Sequence, residues 1–98
     1  MVNSSKTNKE SLLLETSTVP WHELQRLFAS GVVISISSEL DLIETAYLMV
    51  QDDKESIEAL MQKEKIQHVS NEQAKKWYAE NTLLWSVVVK PWVLVQER

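Results

Sequence analysis

Residues 85–96 read WSVVVKPWVLVQ, and no other stretch limits the fold so strongly. Trp85, Val87, Val88, Val89, Trp92, Val93, Leu94 and Val95 are apolar, with Lys90 and Pro91 between them. Odd and even positions are both apolar, and a strand apolar on both faces must be covered on both faces. The run therefore predicts a central strand. Extended over its full length it would reach about 40 Å, whereas a compact domain of this size is about 30–35 Å across. It must bend, break or project. The favoured two-residue hairpin turns need positive φ at their centre, which Pro cannot adopt and Lys adopts only at a cost. A wider loop is the alternative, at the cost of putting Val89 or Trp92 in water. The preferred expectation is one long strand kinked at Pro91, where pairing lapses because Pro has no N–H to donate.

The second half of that strand then lacks partners. Pairing with another copy of the chain would satisfy its backbone and side chains together. Trp92, Val93, Leu94 and Val95 are thus the candidate interaction residues of a homodimer. The plainer alternative is that a helix of the same chain, such as one around Trp21, covers them.

The rest of the sequence points to helices. In 98 residues there are one Gly and two Pro, too few for an all-β fold rich in tight turns. This length makes one domain. We expect residues 1–8 to be a disordered tail and residues 9–98 a single α+β domain with a three-stranded sheet and about five helices. Leu12 and Leu13 mark a short first helix. Thr18, Pro20 and Trp21 suggest a second helix start, with a hydroxyl cap and Pro in the first turn. Trp21, Leu24, Leu27 and Phe28 then recur at helical spacing, and Gly31 stands where a left-handed C-terminal cap belongs.

Val32, Ile34 and Ile36 alternate with Val33, Ser35 and Ser37, as in a strand with one apolar and one more polar face. Ser38 precedes an acidic turn and can cap the next helix, whose inward stripe is Leu42, Ile43, Ala46, Tyr47 and Val50. Asp52 and Asp53 would end that helix and cap the next, which buries Ile57, Leu60 and Met61. Residues 66–69 form a short strand. Ser70 and Gln73 match a capping box for a helix that buries Ala74, Trp77 and Tyr78.

No residue set amounts to a catalytic signature. The chain has no Cys, so disulfides and thiolate metal sites are excluded. There is no Gly-rich phosphate loop, and neither His22 nor His68 has a nucleophile at a diagnostic spacing. No window approaches the ~18 apolar residues of a membrane span, and the N-terminus lacks an apolar signal region. A cytoplasmic location is expected. Asp41 and Glu44 share a helix face and are the metal candidates, with His22 or Glu23 as a third ligand. The plainer reading of these acids is complementing a helix dipole. Trp21, Trp77 and Trp85 are candidates for an aromatic ligand pocket, although Trp21 and Trp77 fall on core stripes.

A winged helix is a further alternative, with helices 54–64 and 71–81 mimicking a helix-turn-helix. Asn71, Gln73, Lys75 and Lys76 would then face a groove. A net charge of −4 and an apolar wing make nucleic acid an unexpected partner.

The stretches PWHELQRLFASGVVI, LDLIETAYLMVQDD, NEQAKKW and above all WSVVVKPWVLVQE resemble a short bacterial family classed as a domain of unknown function, with a C-terminal PWVLVQE motif. The resemblance covers about residues 10 to 97. It implies a complete, small cytoplasmic protein with no assigned activity or cofactor, and so no catalytic residues to carry over. The chain reads as a non-enzymatic interaction or self-association domain. A nucleic-acid binder and a small-ligand or divalent-metal site near the acids are the alternatives.

Overall fold

The computed structural model describes residues 9–98, and the expected tail over residues 1–8 lies outside them. The elements run α1 (Lys9–Glu15), β1 (Ser17–Pro20), α2 (Trp21–Ala29), β2 (Val33–Ile36), α3 (Leu42–Val50), α4 (Lys54–Gln62), β3 (Ile66–His68), α5 (Asn71–Glu80), β4 (Leu83–Val89) and β5 (Trp92–Glu97). The α+β class and the five helices agree with the sequence reading. The sheet does not: it has five strands, in the order β1-β4-β5-β2-β3, rather than three.

The terminal run is a hairpin, not a kinked strand. β4 and β5 pair antiparallel, and Val89↔Trp92 closes a two-residue turn at Lys90 and Pro91. The Lys90–Pro91 peptide is cis, and Lys90 is not among the residues with positive φ. A turn with cis Pro at its second central position needs no positive φ, so the requirement that argued against a tight turn does not apply. The central strand is accordingly β5, and β4 lies one place from the edge.

The second correction is β1. Ser17, Thr18, Val19 and Pro20 pair with Ser86, Trp85, Leu84 and Leu83. Thr18 is therefore a strand residue and caps nothing. Pro20 is the N-cap of α2, with no side-chain cap bond. A Pro at the end of an edge strand leaves no ladder donor missing from the sheet interior. The cap of α3 also moves: Asp41, not Ser38, accepts from the Glu44 N–H. Asp53 caps α4 and the Ser70–Gln73 capping box opens α5, both as expected.

Helices cover both faces of the sheet. On one face Trp21 and Leu24 of α2 and Ala74 and Trp77 of α5 pack on Val33, Leu84, Val93 and Val95. On the other, Leu12 of α1 and Leu42 and Ala46 of α3 pack on Ile34, Ile36, Ile66, Val87 and Leu94, with Ile57 and Leu60 of α4 alongside. The period-2 alternation of β5 feeds both cores, which explains why its odd and even positions are all apolar. β2 and β5 are parallel, while every other pairing is antiparallel. Gln96 fastens the connection after β2 by donating to the carbonyls of Ser37 (2.8 Å) and Leu40 (2.7 Å).

Candidate functional site

The tip of the β4–β5 hairpin makes a cleft with the α3–α4 connection. The cleft encloses about 630 Å³ and is lined by Met49, Ile57, Met61, Val89 and Trp92, with Asp52, Asp53, Lys54, Glu58 and Lys90 around them. A second cleft of about 660 Å³ shares Met49, Val89 and Lys90 and continues toward Leu12, Glu15, Val50 and Val88. The residues in common make the two clefts flank one wall. Local chemistry sets this shape. Asp52 takes a left-handed φ of 57°, which turns the chain sharply between α3 and α4. Asp53 then spends its carboxylate on the Ser56 N–H and hydroxyl. Trp92, half-buried, meets the His68 ring edge-on at 5.9 Å.

The charges around the first cleft are of both signs. Among the described residues, the ion pairs are Lys9–Glu44 and Lys65–Glu39. Lys54, Lys90, Asp52 and Glu58 belong to neither. Apolar side chains, two of them flexible thioethers, thus lie beside unpaired cations and anions. Met adapts to irregular contact surfaces.

A smaller, polar crevice of about 220 Å³ lies on the α5 face, where β2 and β5 end. Ser35, Ser37, Ser38, Glu64, Gln67, Gln73, Trp77 and Glu97 contribute to it. Gln73 donates to Ser35 Oγ (3.2 Å), and the Trp77 indole N–H donates to Glu97 Oε2 (2.9 Å). Sequence reasoning missed this crevice. The Ser35 and Ser37 alternation was the available signal, but nothing in it pointed to Glu97.

The residues singled out from sequence are dispersed. Of the four interaction candidates, Trp92 lines the hairpin cleft, while Val93, Leu94 and Val95 are buried. β5 is paired on both sides, with β4 and β2, so it offers no free edge to another chain. Trp21 and Trp77 are core residues whose rings pack at 5.3 Å. Trp85 and Trp92 do share a face, since the hairpin register places Trp85 opposite Gln96 and Trp92 opposite Val89. They line different clefts, Trp85 standing with Leu13 and Ile43 beside α1 and α3. The aromatic pocket of Trp21, Trp77 and Trp85 is therefore not assembled.

Asp41 is occupied as the α3 cap, and Glu44 pairs with Lys9 at 2.7 Å. His22 lies on the opposite side of the sheet, with Nε2 at 2.9 Å from the Tyr78 carbonyl oxygen, and cannot join them. Among the described residues no group of three or more His, Asp or Glu side chains could hold a metal ion. α4 and α5 sit on opposite faces of the sheet, which removes the helix-turn-helix geometry. Among the same residues no helix is long and apolar enough to cross a membrane.

Fold and clefts together define a small α+β domain with a mixed five-stranded sheet between two helical layers. The chain belongs to the family described as "Protein of unknown function (DUF2288)", which it matches over residues 7–97. It is also similar to the protein in the NMR solution structure of PA1075 from Pseudomonas aeruginosa. The two are 35% identical with a TM-score of 0.81, over 100% of this chain and 93% of that one. No curated protein matches.

Proposed function

We propose that the chain is a non-enzymatic interaction domain that self-associates through the tip of the β4–β5 hairpin. The observation that carries this reading is the self-complementary rim of the first cleft, where Lys54 and Lys90 stand unpaired beside Asp52 and Glu58. In a two-fold contact each residue of one copy meets its counterpart's neighbour, and the reverse holds across the axis. A surface bearing both signs can therefore pair its cations with the other copy's anions. Met49, Met61, Val89 and Trp92 supply apolar surface inside that rim. This keeps Trp92 as an interaction residue and leaves Val93, Leu94 and Val95 to the core.

Light scattering tests the reading. The wild-type chain of 11.3 kDa is expected to show about twice that mass. Lys90→Glu sets like charges across the axis and should weaken dimerisation about tenfold or more. Adding Glu58→Lys to Lys90→Glu restores opposite signs and should restore the dimer. A monomeric wild type, or a dimer indifferent to both changes, would overturn the proposal.

A further inference from the structure

The polar crevice at the ends of β2 and β5 has the features of a built binding site. The crevice lies at the carboxyl ends of β2 and β5, the parallel pair of the sheet. Ser35 and Ser86 are buried polar residues on this sheet face, and Ser35 is the one that lines the crevice. Two hydrogen-bonded couples fix the lining. The Gln73 amide is held by the Ser70 N–H at its oxygen and donates to Ser35 Oγ through its nitrogen. That leaves the Ser35 hydroxyl hydrogen free to turn into the crevice. The indole of Trp77, itself buried, donates to Glu97 Oε2 and orients that carboxylate while leaving Oε1 free.

The balance of charge identifies the ligand chemistry. Glu64 and Glu97 line the crevice, and no Lys or Arg does. The nearby Lys65 is committed to Glu39. Carboxylates and serine hydroxyls offer acceptors in excess of donors. A volume of about 220 Å³ admits a small head group rather than a nucleotide or a cofactor. We infer that this crevice binds a hydrogen-bonding organic cation, a primary ammonium or guanidinium head, through Glu97 and Glu64. Such a head belongs either to a free small amine or to the Lys or Arg side chain of a protein. The inference does not depend on self-association, because the crevice lies at the opposite end of β5 from the hairpin tip.

Nitrogen-15 spectra of the full chain provide the test, since the Trp77 indole N–H reports on Glu97 directly. Ethylammonium or methylguanidinium chloride should move the Trp77 indole signal beyond the shift given by equal sodium chloride. The Trp21 indole, which donates to Gln25, should stay in place. Glu97→Gln keeps an oxygen for Trp77 but loses the charge, and should weaken binding about tenfold or more. Glu64→Gln, an exposed change that leaves the Trp77 bond untouched, should weaken it in the same direction. A blocked Gly-Arg-Gly peptide that binds tenfold tighter than methylguanidinium would identify a protein side chain as the source of the head. Equal affinities would identify a free cation. A Trp77 signal that answers only to ionic strength, or saturation unchanged in both Gln variants, would overturn the inference.

Discussion

Gly31, one residue past the C-cap of α2, and Asn81, the C-cap of α5, both take positive φ, of 80° and 46°. They reach that conformation by different chemistry. A Cβ built on Gly31 meets nothing within 4 Å, so glycine is there for its backbone alone. Gly31→Ala should therefore cost about 1 kcal/mol, the steric penalty of a left-handed residue with no clash added to it. Urea denaturation would show it as a lower midpoint with an unchanged slope. Asn81 tolerates the left-handed region and also uses its side chain, accepting the His22 N–H at 3.0 Å. That bond ties the start of α2 to the end of α5. Gly31 could be read from the sequence because it is the only glycine. The Asn81–His22 contact spans 59 positions and has no local signature.

At the level of elements, what was legible was what local periodicity controls. The apolar spacing of α2, α3, α4 and α5 places Trp21, Leu24, Leu42, Ala46, Ala74 and Trp77 in the core. Leu27, Met61 and Tyr78, expected inside, are exposed, and α4 has no fully buried residue. The Ser70–Gln73 capping box is visible as two residues three apart. That box also reaches the crevice, because Gln73 holds Ser35 from the same side chain. Ser70→Ala should cost about 1 kcal/mol of stability, as for a lost hydroxyl cap, but it keeps the backbone N–H that holds the Gln73 side chain and should leave methylguanidinium binding nearly unchanged. Thermal unfolding and the Trp77 indole titration check the two effects separately. The strands were less legible. Ser17, Thr18, Val19 and Pro20 contain one apolar residue and Pro, with no clear alternation, because β1 is an edge strand whose pairing to β4 spans most of the chain. The hairpin was hidden for another reason. Steric rules for primed turns argue against Lys90-Pro91, and the turn that forms is of a different type. The clefts inherit this opacity, since both Lys90 beside Asp52 and Glu97 beside Trp77 depend on where β5 lies.

For the molecule as a whole, stability rests on the two cores that share β5 rather than on its surface charges. The Glu39 carboxyl is held below its ordinary value of 4.5 by its hydrogen bond to Lys65. A depressed carboxyl contributes stability above its unfolded value, which is lost as pH falls through the folded one. Hydrogen bonding to Glu44 likewise raises Lys9 above 10.5, so its contribution is present below that value and lost as pH rises past it. Both pairs are exposed at the surface, where solvent and salt weaken them. The sheet interior differs. Leu94 is fully buried against one helical layer, while its neighbours Val93 and Val95 are buried against the other. Leu94→Ala leaves a cavity in the middle of the central strand and should cost about 2–5 kcal/mol. A domain of this length has only about 5–15 kcal/mol in total, so the loss should be visible without denaturant as a lower melting temperature. Because both cores lean on one strand, unfolding of the variant should remain a single transition when followed by Trp fluorescence and by backbone circular dichroism. Two separated transitions would mean that the helical layers are held independently, and that β5 does not couple them.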